Sequence, residues 1–259
     1  MKKLLLIAFY ITFTFKSIYA QDVYFSQYQY SPLLVNPAYV ASEYDLKVLG
    51  HYRNQFRSPN PNYRTPSFTF ILPFVNKEIN RRNGGIGLNA YSDLTGNYPR
   101  YQNTGLSLSY AYNLYMGKGS NLSLGIQGGY FQYGFSSQDV ETSEMYQNNG
   151  GFNPNLNNGE VKLSNLNKQY IDLASGMTYI KEDTNGQQQY YAGISIYHLT
   201  RPDRSLLGKT DQLPMSYSLQ AGVRAFAKDQ WSIYPELLAI QQLKYQRISA
   251  GVRVKYVVD

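Results

Sequence analysis

The sequence predicts an all-β fold, namely a transmembrane antiparallel β-barrel with a plug segment at its N-terminus. About ten segments alternate apolar residues with small or polar ones, the period of strands with two different faces. The residues between the apolar positions are Gly, Ser, Ala and Thr more often than Lys and Glu, which suits a barrel lumen better than a water-exposed sheet. After Ala20 no apolar run reaches the ~18 residues of a membrane helix. The alternative is a soluble β fold whose apolar face meets a second sheet.

The clearest strands form a predicted hairpin over residues 104–130. Apolar residues alternate from Thr104 to Leu114 and again from Leu122 to Tyr130, and the break at residues 116–120 predicts a tight turn. The same alternation predicts further strands with apolar faces over residues 46–52, 68–72, 86–90, 171–179, 192–196, 217–225 and 248–256. The segment 231–240 is less regular, and Pro235 predicts either a weak strand or a bulge there.

The lengths of the connections alternate, as they do in outer-membrane barrels. If the N-terminus is periplasmic, the longer connections 57–64, 95–100, 136–168 and 200–212 lie outside the cell. The tight turns 116–120 and 227–230 then lie on the periplasmic side. The connection 75–84 is longer than this rule predicts.

The first residues have the order of a secretory signal peptide. Lys2 and Lys3 precede an apolar run over residues 4–15, and Ala20 precedes the predicted cleavage at Gln21. The run is too short for a membrane anchor. We therefore divide the chain into a signal peptide (1–20), a plug segment without strand period (21–43) and a barrel (44–259).

Composition excludes several classes of protein. The chain has no cysteine, so it carries neither a disulfide framework nor a lipid on an N-terminal cysteine. Removal of the signal peptide lowers the net charge from +7 to +4, which is too mild and too scattered to predict a nucleic-acid partner. The 27 tyrosines suit strands whose ends lie at a membrane interface.

Candidate chemistry is sparse, and we expect neither enzymatic activity nor a cofactor. His51 and His198 are the only histidines, which excludes a metal site built from several of them. His198 with Asp203 or Asp211 could form a protease dyad, but a histidine that anchors a loop explains the pattern better. Basic residues predicted in the lumen could steer an anion or pair with acids; they are Lys47, Arg53, Arg224, Arg253 and Lys255.

Four sequence motifs carry a resemblance. They are Phe25-Ser26-Gln27-Tyr28, Asn36-Pro37-Ala38, Arg53-Asn54-Gln55, and the run containing Gly193, Ser195, His198 and Leu199. In this order and spacing the chain resembles the PorP/SprF family of type IX secretion proteins in Bacteroidota outer membranes. The resemblance covers essentially the whole mature chain.

The resemblance implies a barrel of about fourteen strands related to fatty-acid transporters, with the Asn-Pro-Ala segment in an N-terminal hatch. It also implies a non-enzymatic role in secreting or retaining a surface adhesin-like cargo with a type IX C-terminal signal, a role tied to gliding motility. The implied partners are the ring and motor components of the secretion system and outer-membrane lipid. Family members usually continue beyond this chain's last residue, so we expect either a truncated barrel or one with fewer strands. A channel for small or hydrophobic solutes is the alternative function.

Overall fold

The described strands form one antiparallel sheet. A computed structural model describes residue 25 and residues 27–55, 63–79, 81–96, 100–136, 153, 167–206, 210–228 and 230–256. Its strands are β1 (Lys47–Gln55), β2 (Tyr63–Asn76), β3 (Arg81–Thr95), β4 (Arg100–Gly117), β5 (Ser120–Ser136), β6 (Asn167–Glu182), β7 (Gln188–Tyr197), β8 (Ser216–Val223), β9 (Phe226–Lys228), β10 (Trp231–Gln242) and β11 (Tyr245–Tyr256). The all-β prediction is confirmed, and the short β9 is the one strand that the alternation did not separate.

Strands that follow one another in the chain are neighbours in the sheet. The order runs from β1 to β8 and continues with β10 and β11, while β9 pairs only with β10. Within the described residues β1 and β11 do not pair with each other, so the sheet is open. Four turns lie at the same end of the strands, which we call the short-turn end. They are 77–80, 118–119, 183–187 and 229–230. The opposite long-loop end carries connections 56–62, 96–99, 137–166 and 198–215, and the two-residue turn 243–244 is its exception.

The two faces of the sheet differ in chemistry. The apolar residues of the alternation lie on an exposed outer face; Ile248, for example, is 75% exposed. The small and polar residues lie on the inner face, where Ser109 is fully buried. The predicted faces of β1 to β8 and β11 are confirmed, including His51 on the inner face with Lys47 and Arg53. An outer face this apolar is typical of strands in contact with lipid.

Aromatic residues pair on the outer face close to the short-turn end. Trp231 and Tyr256 have ring centroids 4.7 Å apart. Tyr179 and Tyr190 lie 6.1 Å apart on the neighbouring strands β6 and β7. Rings with an apolar body and a polar tip concentrate at membrane–water interfaces. This band therefore suits one boundary of a bilayer.

One detail of the strand prediction is wrong. The connection at 75–84 is short, because pairing continues through a register shift at Phe74 and Val75 as far as Asn76 and Arg81. Of the two alternatives at Pro235, the bulge is confirmed and the weak strand is not, since β10 pairs with β11 over its whole length. The register of β10 shifts by one residue between β8 and β9, so Pro235 stands opposite a break in pairing.

An N-terminal segment of three 3₁₀ helices packs on the inner face. The helices are Tyr28–Tyr30, Pro32–Leu34 and Pro37–Ser42. Leu33 and Val40 form a core with Ile71 of β2 and Ala111 of β4, and a second core joins Tyr28 and Val35 to Leu238 and Ile240 of β10. These inward apolar side chains of β10 explain its irregular sequence pattern. No helix in this described part of the chain could span a membrane.

The sheet curves around the N-terminal segment. The Phe25 ring lies 5.7 Å from His51 of β1. The Phe25 carbonyl accepts a hydrogen bond of 3.4 Å from Arg247 of β11. Because β1 and β11 are the two edge strands, contact with one residue from both requires the inner face to be strongly concave.

Candidate functional site

Asn36 is the centre of the contact between the N-terminal segment and the sheet. Its side chain is fully buried. As the N-cap of the third 3₁₀ helix, it accepts at Oδ1 a hydrogen bond of 2.9 Å from the Ala38 amide. Its Nδ2 lies 3.0–3.1 Å from four oxygens on β6, β7 and β8; they are Met177 O, Thr178 Oγ1, Ile194 O and Gln220 Oε1. One amide therefore joins the segment to three neighbouring strands. We call Asn36 with these partners the Asn36 site.

Glycines on three strands make room for Asn36-Pro37-Ala38. A Cβ at Gly176 would lie 2.1 Å from Asn36 Oδ1, and a Cβ at Gly125 would lie 2.4 Å from the Ala38 nitrogen. At Gly193 a Cβ would lie 3.0 Å from Asn36 Nδ2. The first two distances are shorter than real Cβ contacts and the third is tight, so these positions favour glycine for close approach of the segment.

Side chains from the inner face satisfy the carbonyls of the second 3₁₀ helix and the residue after it. The Leu33 carbonyl accepts hydrogen bonds from Tyr197 Oη at 2.8 Å and Gln127 Nε2 at 3.1 Å. The Val35 carbonyl accepts from Ser195 Oγ at 2.6 Å and Ser218 Oγ at 3.1 Å. Irregular backbone away from water needs such partners. The inner face is thus built to hold a segment that is not a strand.

A buried ion pair holds the end of the N-terminal segment. Arg82 Nη2 of β3 lies 2.8 Å from Glu182 Oε1 of β6, and both side chains are less than a tenth exposed. Arg82 Nη1 donates to the Ser42 carbonyl at 2.7 Å, and its guanidinium lies 4.5 Å from the Tyr44 ring. Glu182 Oε2 accepts from Tyr44 Oη at 3.0 Å and Asn121 Nδ2 at 3.1 Å. We call these five residues the ionic cluster.

Comparison with known families gives a match over nearly the whole chain. The sequence profile of a family described as "Type IX secretion system membrane protein PorP/SprF" matches residues 17–258. The chain belongs to the PorP/SprF family. Comparison with curated proteins and with solved structures finds no match.

Two of the PorP/SprF motifs meet in the Asn36 site. Gly193 leaves space for the Asn36 amide, and Ser195 binds the adjacent Val35 carbonyl. Ser195 is also hydrogen-bonded to Ser218. Pro37 and Ala38 are buried. The structure brings these residues together, and their importance for function stays a prediction.

The other PorP/SprF motif residues lie elsewhere. Phe25 and Tyr28 are buried, whereas Gln27 is exposed and Ser26 lies outside the described residues. Arg53, Asn54 and Gln55 end β1 at the long-loop end, where Arg53 Nη2 donates to Gln55 Oε1 at 2.6 Å. The described contacts do not connect this motif with the Asn36 site.

His198 pairs with an acid that the sequence did not single out. Its Nδ1 lies 2.6 Å from Asp172 Oδ2 of β6, and Thr200 Oγ1 donates to Asp172 Oδ1 at 2.8 Å. The alternative of a dyad with Asp203 or Asp211 is wrong. The Asp203 carboxylate instead accepts hydrogen bonds from the backbone amides of Ser205 and Asp211. With a positive φ of 61°, His198 begins the 198–215 loop, and Leu199 N donates to the Leu173 carbonyl at 3.0 Å. This geometry is that of a loop anchor.

Most of the predicted lumen cations are neutralised by acids. Lys47 lies 2.7 Å from Glu43, Arg224 2.7 Å from Asp183, and Arg253 2.8 Å from Glu236. Arg253 and Lys255 line a cavity of about 670 Å³ at the short-turn end, between the N-terminal segment and strands β1, β10 and β11. Tyr28 also lines it, and burial, then the nearby Glu236 charge, raises the pKa of Tyr28 to about 12. Within the described residues no cluster of His, Asp or Glu could hold a metal ion.

Sequence reasoning missed the ionic cluster. Arg82 and Glu182 both occupy inner-face positions near the short-turn end, and a charged residue at such a position is the signal that could have found them. Their partnership could not be read, because β3 and β6 are separated by two strands.

Proposed function

We propose that this PorP/SprF protein is a non-enzymatic outer-membrane component of type IX secretion that helps secrete or anchor an adhesin-like cargo. Family membership supports a role in type IX secretion. The exposed apolar outer face supports a position in lipid. Under this proposal the strands belong to a membrane barrel, the N-terminal segment is its plug, and the partners are the ring and motor components of the system in a Bacteroidota outer membrane.

The observation that carries the proposal is the fit between Asn36-Pro37-Ala38 and the inner face. Three strand glycines and the Asn36 amide hold a segment that would obstruct free diffusion along the lumen. A passive pore has no need of side chains shaped to an obstruction. A component whose lumen stays closed while it engages a protein cargo does.

A solute channel is the second candidate, and one observation favours it. The cavity of about 670 Å³ beside the N-terminal segment carries Arg253 and Lys255 on its wall. If this cavity continues past the segment, small anions or hydrophobic solutes could cross. The two functions differ in what a deletion strain loses.

The test is a gene deletion with two measurements. We expect loss of one adhesin-like cargo from the cell surface, scored by surface labelling, with unchanged uptake of small antibiotics and sugars. A plasmid copy should restore the cargo, and heat-modifiable migration should show that this copy is folded. Intact surface adhesins together with altered solute uptake would support the channel instead.

The long-loop end is the expected contact surface for cargo, because long external loops carry recognition. Most of the predicted loop 136–168 lies outside the described residues. The 200–212 connection folds back on itself, with Leu213 N donating to the Pro202 carbonyl at 2.9 Å. Shortening 136–168 should abolish cargo display without lowering the amount of folded protein. Normal display in that variant would exclude this loop as the contact surface.

A further inference from the structure

An aromatic cluster lines the inner face at the long-loop end, beyond the N-terminal segment. The Phe131 ring stacks on Tyr170 at 5.4 Å and lies 6.3 Å from Tyr91. Tyr101 and Tyr133 meet edge to face at 5.0 Å. Where the segment packs, the inner face consists mostly of small or polar residues together with Ile71, Leu238 and Ile240. The aromatic residues at the long-loop end therefore mark a second, different surface.

This cluster borders a small cavity. The cavity measures about 50 Å³, and its lining includes Tyr91, Phe131, Tyr197 and Leu34. Leu34 belongs to the N-terminal segment, so the segment forms part of its wall. Glycines at 105 and 129 leave room for Phe131, since a Cβ at either would lie 2.6 Å from that ring. The cavity has a mostly apolar wall around Phe131, its polar lining residues are Ser107, Gln127, Asp172 and His198, and it is large enough for part of one side chain.

Arg204 places a buried positive charge beside this cluster. Its guanidinium lies 5.3 Å from the Tyr133 ring, and the residue is only 6% exposed. Among the residues that the structure describes, none accepts a hydrogen bond from Arg204 Nε. The acids of this loop are already engaged: Asp203 by Ser205 and the Asp211 amide, and Asp172 by His198 and Thr200. A buried charge with no counter-charge among the described residues is costly to keep.

Asn103 adds a second polar atom without a partner. It lies directly across from Tyr133 in the β4–β5 register and is 8% exposed. Within the described ranges its Oδ1 receives no hydrogen bond. Phe131 and Tyr133 are two residues apart on the same face of β5, so these polar atoms lie one step along the strand from the cavity and outside its lining. Together the two places offer a cation, an amide oxygen and a mostly apolar hole.

We propose that this site binds a carboxylate-bearing polypeptide segment from outside the cell. The carboxylate pairs with the Arg204 guanidinium, a backbone N–H of the segment donates to Asn103 Oδ1, and an adjacent apolar or aromatic side chain enters the cavity at Phe131. The carboxylate belongs either to a chain terminus or to an Asp or Glu side chain. The site itself stands on geometry, and it rests on the proposed function for the approach from outside the cell and for the view that cargo supplies this segment.

The test uses purified, folded, full-length protein in detergent and three acetylated tripeptides. One is Gly-Gly-Phe with a free carboxylate, the second is its carboxamide, and the third is Gly-Asp-Phe carboxamide. We expect at least one carboxylate peptide to bind ten times or more tighter than the neutral peptide by calorimetry. The better of the two identifies the source of the carboxylate. The proposal would be overturned if all three peptides bound equally well or if none of them bound. If inorganic phosphate by itself displaced the peptides, the site would be one for simple anions only.

Variants separate recognition from structure. Arg204→Gln should abolish the preference for carboxylate, whereas Arg201→Gln, at an exposed arginine of the same loop, should leave it unchanged. Removing an uncompensated buried charge should leave the thermal midpoint of the free protein equal or higher. A lower midpoint with the preference retained would make Arg204 merely structural. Peptide binding needs no secretion, so failure here leaves the deletion experiment to judge the proposed function separately.

Discussion

The outer and inner faces of the sheet are held in place by different physics. On the outer face most of the alternating residues are apolar and exposed, as at Leu108 and Ile126, and the contacts described between them are ring pairs such as Trp231 with Tyr256. On the inner face the Asn36 amide, the framing glycines and the Arg82–Glu182 pair each depend on distant residues. The outer face is therefore tolerant of exchange within a chemical class, and the inner face is specific to individual atoms.

The largest effect should come from breaking the ionic cluster. Arg82→Gln leaves Glu182 buried without its cation, and such losses cost about 3–5 kcal/mol. Replacing both by leucine removes the uncompensated charge, so the double variant should lose less. Urea unfolding from liposomes measures both. A double variant that is less stable than the single one would show that the pair itself, and not the isolated charge, dominates.

A charge on the outer face should be costly in a way that depends on depth. Leu108→Arg places a charge near the middle of β4, where lipid exposure costs about 2–4 kcal/mol, whereas Gln102→Arg near the strand end should cost about 0–1 kcal/mol. The two positions share one strand and one face. Refolding yield into bilayers, read from heat-modifiable migration, gives the comparison. Equal yields would contradict contact between this face and lipid.

Two glycines of β5 compare the faces directly. Gly125→Val would push into the Ala38 backbone, and overpacking of this kind costs about 1–3 kcal/mol and should expose the N-terminal segment to protease. Gly128 lies on the outer face, where a Cβ meets its nearest atom at 3.6 Å, so Gly128→Val should change stability by less than about 0.5 kcal/mol. Limited proteolysis and urea unfolding report both. An unchanged digestion pattern in Gly125→Val would mean that the segment can shift without cost.

The smallest effect concerns a loop outside both faces. Hydrogen bonds from the backbone amides of Asp211 and Ser205 lower the pKa of Asp203 to about 2. Because the folded pKa is depressed, the ionised carboxylate supports the loop fully above the unfolded value of about 3.9, and this support is lost as the pH falls through about 2. Pepsin should cut the loop faster at pH 1.5 than at pH 4, after correction with an unstructured substrate. The Asp203→Asn variant should be cut readily at both pH values. If it resisted cleavage at both, the carboxylate would have no role in holding the loop.

Local chemistry made the outer face predictable. A strand with one apolar face alternates apolar residues with others, so each strand shows this pattern in its own sequence, as in residues 104–114. At Pro235 the pattern left a weak strand and a bulge open, because the break between β8 and β9 that lies opposite the proline cannot be read from β10 alone. It also misplaced the 75–84 connection, where pairing continues through a bulge.

The inner face was predictable only in part. Asn36 and Gly193 were singled out through the family resemblance, and the structure explains why they occur together. No spacing connects Arg82 with Glu182 or Arg204 with Tyr133, since these contacts exist only after the sheet has curved. Their recognition needs the register of strands that lie far apart in the chain.

The Asn36 amide has two hydrogens but lies within bonding distance of four oxygens. The four oxygens therefore share two N–H groups while the N-terminal segment is docked. If the segment withdraws, the site left behind is a small polar hollow of carbonyl, hydroxyl and amide groups, which water fills readily. Departure would exchange one set of hydrogen bonds for another of similar number, without opening a dry void. Withdrawal would then cost chiefly the apolar contacts of Leu33 and Val40 and the hydrogen bonds that hold the Leu33 and Val35 carbonyls.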